Sequence, residues 1–158
     1  MDTFNPPLSN NVQVLLVEDN ATDAELCIRA LKKHDLANQL LWVKDGAEAL
    51  EALDTLFGTG IDAGLPNKHL KVVLLDLRLP KINGLEVLRR VRADPRTREV
   101  PIVVVSSSTQ DSDIAEAYKL GVNSFISKPV EFKAFSDVVA QLGRYWVLVN
   151  KAPADIRA

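Results

Sequence analysis

The sequence predicts an α/β protein: one doubly wound parallel sheet with helices on both faces. Three observations carry that prediction. Five short β-branched runs alternate with five helical patterns along the chain, and such alternation builds a parallel sheet with right-handed crossovers. Three of the runs are apolar on consecutive rather than alternate residues, so both of their faces need cover. The chain has 158 residues, which suits one domain with a core of its own.

The elements follow in order. Residues 1–11, with an acid, two prolines and several asparagines, form a leader. The first strand is Val12–Val17, and Asn20 then caps a helix whose apolar face is Ala24, Cys27, Ile28 and Leu31. The second strand is Leu40–Val43. Asp45 and Glu48 form a capping box ahead of Leu50, Leu53 and Phe57. Residues 58–69, GTGIDAGLPNKH, are a Gly- and Pro-containing loop. The third strand is Val72–Leu75, and Asn83 with Glu86 starts a helix facing inward through Gly84, Val87, Leu88 and Val91. The fourth strand is Ile102–Val105, followed by a stripe of Ile114, Ala117 and Tyr118 that Gly121 closes as a C-cap. The fifth strand is Ser124–Ser127, and Phe132, Phe135, Val139, Leu142 and Trp146 give the last helix its core face. One domain over 12–150 and a loose tail over 151–158 complete the reading.

Composition narrows the function. Hydrophobic residues make up 47% and charged residues 25%, the balance of a soluble globular protein. Nineteen basic against twenty-one acidic residues leave a net charge of −2, so no electrostatic basis exists for binding nucleic acid or a membrane surface. Cys27 stands alone, which excludes an intramolecular disulfide and a Cys-rich zinc site. His34 and His69 lack any partner spacing and read as solvated polar residues. The start lacks the basic-then-apolar pattern expected of a signal peptide, and no stretch approaches the ~18 apolar residues of a membrane span. A cytoplasmic location is expected.

In open α/β sheets the chemistry lies beyond the carboxyl ends of the strands. There the chain carries Glu18 and Asp19, then Asp76, then Ser106, then Lys128 followed by Pro129. If the first and third strands are neighbours, the three acids converge, and their mutual repulsion favours a hard cation. Mg²⁺ fits best, since it takes one or two carboxylates and reserves positions for phosphate oxygens. Lys128 supplies a positive charge for an incoming anion and Ser106 a hydroxyl donor. The set suits a phosphoryl group, with a carboxylate as the remaining nucleophile. Each residue alone has a plainer explanation: Glu18 and Asp19 as acids at a helix dipole, Ser106 as a loop hydroxyl, Lys128 as a solvated cation. Their joint occurrence at separate strand ends is what points to a site.

These stretches resemble the receiver domain of bacterial two-component response regulators. The matching segments are VQVLLVEDN at 12–20, VVLLDLRLPKINGLEVL at 72–88, VPIVVVSSS at 100–108 and GVNSFISKPVEF at 121–132. The resemblance implies a flavodoxin-like sheet in order 2-1-3-4-5 with five helices. It implies that Asp76 accepts a phosphoryl group from a phosphohistidine of a sensor histidine kinase. Asp19 would ligate Mg²⁺ directly and Glu18 through water, with the backbone carbonyl of Arg78 as a further ligand. Lys128 would pair with the phosphoryl group, Ser106 would hydrogen-bond it, and the Phe125 rotamer would follow that movement. Pro129 would follow a cis peptide bond, although sequence alone gives cis about 5% of the time.

The departures from the family pattern are few. Glu18 stands where many members carry Asp, and Phe125 lacks the hydroxyl of a common tyrosine. Arg78 also occupies the position where a phosphohydrolase of the aspartyl-phosphate type carries a second acid. That alternative, an Mg²⁺-dependent hydrolase, therefore has a broken motif. Nucleotide-binding glycine loops are absent from the sequence.

The 58–69 loop and the ending YWVLVNKAP at 145–153 resemble a smaller subgroup, the stand-alone regulators that work with phytochrome-type kinases, including bacteriophytochromes. The extended last helix also places Val138, Tyr145 and Val149 on a second stripe. Apolar residues on two faces predict that one meets a partner, here a second copy of the chain.

Overall fold

Four strands are buried along their whole length: β1 (Val14–Val17), β2 (Leu40–Val43), β3 (Val72–Leu75) and β4 (Ile102–Ser106). β5 (Ser124–Ser127) closes one edge and is only partly covered. The structure, a computed structural model, describes residues 11–36, 39–58, 69–108 and 110–156. Most of the expected leader, of the 58–69 loop and the end of the expected tail lie outside the described residues.

The strands are all parallel, in the order β2-β1-β3-β4-β5. Register positions the site. Val17 pairs with Val43 on one side and with Leu75 on the other, so β1 and β3 finish level. The Glu18 N–H donates to the Val43 carbonyl at 3.1 Å and the Asp76 N–H to the Val17 carbonyl at 3.0 Å. Glu18 and Asp76 therefore leave the sheet side by side.

Alternate strand residues feed two cores. One core joins Leu15, Val17, Val73, Leu75 and Val104 to α2 (Gly46–Phe57), α3 (Gly84–Ala93) and α4 (Asp111–Lys119). The other joins Val14, Leu16, Leu74, Val103 and Val105 to α1 (Ala21–Lys33) and α5 (Phe132–Gly143). Burial on both faces is why these strands are apolar without alternation.

The helix starts follow from their caps. Asn20 Oδ1 accepts the Asp23 N–H at 3.0 Å, Asp45 Oδ1 the Glu48 N–H at 2.8 Å, and Asn83 Oδ1 the Glu86 N–H at 3.0 Å. The Glu48 carboxylate reaches back to the Lys44 N–H at 3.1 Å rather than to the cap residue itself. Glu86 instead pairs with Arg89 and Arg90 along its own helix. Gly121 ends α4 at φ +98°, a left-handed conformation that glycine adopts without strain.

Several side chains depart from their expected faces. Tyr118 is 52% exposed, leaving Ala117 as the fully buried residue of α4. Phe132 is 68% exposed, because it opens α5 at the sheet's carboxyl edge, where the layer beneath it has ended. Phe135 and Val139 are buried as expected, and Leu142 and Trp146 pack partly against the same core. After Gly143 the helix widens to π-helical pitch over Arg144–Val149. The extra residue in that turn shifts the register, so Val147 is buried while Tyr145, Leu148 and Val149 face outward.

The expected loose tail is ordered through Ile156. Ala152 is buried, its N–H donates to Asp155 Oδ2 at 2.7 Å, and Asp155 pairs with Lys71 ahead of β3. A short helical turn, α6 (Pro153–Ile156), carries this contact. Among the described residues no helix is long and apolar enough to cross a membrane.

Candidate functional site

The acids predicted from the strand ends do come together. Glu18, Asp19 and Asp76 each offer an oxygen, and these oxygens lie within 4.8 Å of one another. Glu18 and Asp76 are buried and Asp19 is exposed, so the cluster opens to solvent on one side. Lys128 arrives from the end of β5. Its ammonium donates to Glu18 Oε1 at 2.7 Å, Asp23 Oδ2 at 2.9 Å and Asp76 Oδ2 at 3.2 Å.

The electrostatics follow from burial. Burial, followed by the charge of Asp76, pushes the Glu18 carboxyl up to about 8, even with Lys128 and the Asn20 N–H bonded to it. Burial works against the Lys128 ammonium, but Glu18, Asp23 and Asp76 outweigh it and hold its pKa above the ordinary lysine value. One ammonium thus leaves the pocket short of positive charge. Hard oxygen donors with uncompensated negative charge are the donor set that Mg²⁺ or Mn²⁺ prefers, and the cluster fits a divalent metal site.

The backbone of the β3–α3 loop is held around Asp76. The Arg78 N–H donates to Asp76 Oδ1 at 3.3 Å, and the Gly84 N–H to the Leu77 carbonyl at 2.9 Å. A Cβ on Gly84 would sit 2.4 Å from the Asp76 carbonyl oxygen and 2.6 Å from Leu77 Cα. Only glycine lets α3 begin this close to the loop. The Arg78 side chain is exposed.

Ser106 is fully buried, and its hydroxyl accepts the Ser108 N–H at 3.2 Å. The Lys128 N–H donates to the Ser106 carbonyl at 2.8 Å, which ties the ends of β4 and β5 together. Phe125 is half-buried two register positions before Ser106, opposite Val104, against the core that α4 covers. The Lys128–Pro129 peptide is trans, not cis as expected from the resemblance. A trans X–Pro bond is favoured by about 0.5–1 kcal/mol in the absence of a constraint.

Two features escaped the sequence reading. Asp23 reaches Lys128 from the first turn of α1. An acid in that turn has a sufficient explanation in the helix dipole, so only its alignment with Glu18 along the α1 entry could have flagged it. Ser108 donates to Asp113 Oδ2 at 2.5 Å, linking the end of β4 to the first turn of α4. The SSS run at 106–108 hinted at hydroxyl chemistry without saying which serine bonds to what.

Comparison with known proteins agrees with this geometry. Residues 14–140 match the family described as the response regulator receiver domain. The probable methanogenesis regulatory protein FilR2 of Methanothrix harundinacea is 39% identical over 89% of this chain and 86% of its own length. Response regulator Rcp1 of Synechocystis sp. is 31% identical over 97% of this chain and 98% of its own. Its Mn²⁺-bound structure superposes with a TM-score of 0.77. The phosphorylated cyanobacterial phytochrome response regulator RcpA superposes with a TM-score of 0.78 at 32% identity, over 90% of this chain and 99% of that one. The bacteriophytochrome response regulator AtBRR is 45% identical over 89% of this chain and 99% of that one, with a TM-score of 0.62.

Proposed function

Because the chain belongs to the response regulator receiver domain family, we propose that it takes a phosphoryl group onto Asp76 from a phosphohistidine of a sensor histidine kinase. The bacteriophytochrome type is the donor class favoured by the likeness to RcpA and AtBRR. The receiver unit spans 12–150, works in the cytoplasm and signals by protein contacts or onward transfer rather than by turning over small phosphate esters. The observation that carries the reading is the convergence of Glu18, Asp19, Asp76 and Lys128 on one strand-end pocket.

In this reading an Asp76 carboxylate oxygen attacks phosphorus in line as the phosphorus–nitrogen bond of the donor breaks. The imidazole leaves as the neutral ring once protonated. A bound Mg²⁺ supplies charge neutralisation for the transferring oxygens, with Glu18, Asp19, Asp76 and the Arg78 carbonyl as the groups to hold it. Lys128 exchanges its bond to Asp76 for one to the new phosphoryl oxygen. The Ser106 hydroxyl rotates from the Ser108 N–H to donate to the same group. Phe125 then follows into the space that Ser106 leaves, which biases α4 between two arrangements. Support for a mobile α4 comes from its single fully buried residue, Ala117.

A second copy of the chain completes the proposal. Tyr145, Leu148 and Val149 are exposed at the end of the last helix. They flank a groove of about 320 Å³ lined by Ala140, Gln141, Arg144, Tyr145 and Val149. An apolar helix end of this kind suits a two-fold contact with itself. Sedimentation at micromolar concentration is expected to show a dimer; monomer alone, with and without phosphorylation, would remove this part.

The function is tested by exposing the full chain to acetyl phosphate or a cognate kinase and measuring intact mass. One phosphoryl group is expected on the wild type with Mg²⁺ and none with chelator or in Asp76→Asn. Equal labelling of both proteins rejects Asp76 as the acceptor.

A further inference from the structure

Lys128 has three donors on its ammonium, and all three are used, by carboxylates from three elements: Glu18 after β1, Asp76 after β3 and Asp23 in α1. Two of those partners belong to the acidic cluster that fits a divalent ion; Asp23 does not. An ammonium and a divalent cation on the same two carboxylates repel each other and compete for their charge. An ion on Glu18 and Asp76 therefore weakens the hold of both on Lys128. Asp23 stays available. Its side chain is partly exposed, and its backbone N–H is held by the Asn20 cap at 3.0 Å.

We propose that Asp23 is a positioning residue for Lys128: it is the partner that the ammonium keeps when a cation occupies the Glu18–Asp19–Asp76 cluster. The inference rests on the receiver reading of that cluster. Asp23 lowers the barrier to loading the pocket by giving Lys128 somewhere to go. It also holds the ammonium at the pocket mouth, facing the phosphoryl group to come. Without Asp23, Lys128 bonds Glu18 and Asp76 unopposed and competes harder with the ion. The lost negative charge acts in the same direction, so the sign is unambiguous: cation affinity falls.

Mg²⁺ titration calorimetry on the full chain tests this, with the fold of each variant checked by circular dichroism. Asp23→Asn is expected to weaken Mg²⁺ binding by about fivefold. Asp23→Glu, which keeps a carboxylate within reach, restores most of it. Glu25→Gln removes the same charge from the exposed face of the same helix and leaves binding near wild type. In a Lys128→Ala background, Asp23→Asn has only the small effect of the lost charge, like that of Glu25→Gln. Asp23→Ser repeats the comparison should the Asn variant not fold.

A loss in Asp23→Asn equal to that in Glu25→Gln overturns the proposal in favour of unspecific charge. An undiminished loss in the Lys128→Ala background overturns it in favour of direct contact between Asp23 and the ion. Absence of saturable Mg²⁺ binding in the wild type overturns the metal pocket itself, and the inference with it.

Discussion

Lys128 Nζ stands 3.2 Å from Asp76 Oδ2 and is nearly as buried as the carboxylate it faces. The pair draws its strength from its surroundings: at the solvent-exposed surface such contacts contribute little, but here removal of one member leaves the other buried without a counter-charge. Lys128→Met is expected to cost about 3 kcal/mol in metal-free buffer. Mg²⁺ should return most of that stability, since the ion supplies the missing charge. Urea denaturation with and without Mg²⁺ measures both, and equal stability of variant and wild type in chelator would contradict the account.

Ser108 ties the carboxyl end of β4 to α4. Its hydroxyl donates to Asp113, while its N–H is held by Ser106. Ala117 is the one buried residue of α4, so this bond is among its few anchors. Ser108→Ala should speed amide hydrogen exchange across residues 111–119 by about fivefold, the worth of one hydrogen bond, with α1 unchanged. Uniform exchange across all helices would argue against a local latch.

Arg92 fastens the opposite end of the sheet. Its guanidinium donates to the carbonyls of Gly121, Arg98 and Val100 and to Asn123 Oδ1 at 2.7–3.0 Å. Asn123 Oδ1 also accepts the Ile102 N–H at 2.8 Å. Arg92→Met is expected to cost about 2–3 kcal/mol, and Arg92→Lys should recover little, because a single ammonium cannot span acceptors that a planar fork reaches together. Thermal or urea unfolding checks this; full rescue by lysine would show that charge alone matters.

Gly84 faces backbone, not a side chain that could move aside. Gly84→Ala should therefore displace the Asp76 loop, cost about 1–3 kcal/mol and slow labelling by acetyl phosphate more than Gly143→Ala. The Cβ at Gly143 meets the side-chain carbons of Leu31 and Leu36, which can adjust. Equal effects of the two variants would remove the special role of the α3 start.

What was legible in the sequence follows from locality. The strands, the caps at Asn20, Asp45 and Asn83, and the residues just past each strand depend on near neighbours and on period. Once β1 and β3 pair level, Glu18 and Asp76 must meet, so the pocket was readable from the topology. Asp23 and Ser108 were not, because each has an adequate local explanation and its partner lies on another element. The outward turn of Phe132 and Tyr118 depends on where the neighbouring layer ends. The inward turn of Val147 depends on a π-helical widening that the 3.6-residue period does not anticipate. The trans Lys128–Pro129 bond corrects an expectation drawn from resemblance, not from the residues.

The central claim is that one buried carboxylate, Asp76, carries the phosphoryl group. Reduction of the acetyl phosphate-treated protein with borohydride, followed by peptide mass mapping, tests it most directly. The account predicts that Asp76 is converted to homoserine, only when Mg²⁺ was present during labelling. Homoserine at Asp19 or Asp23, the one-carbon-longer alcohol 2-amino-5-hydroxypentanoate at Glu18, or phosphate mapped to a serine with Asp76 unmodified, would contradict it.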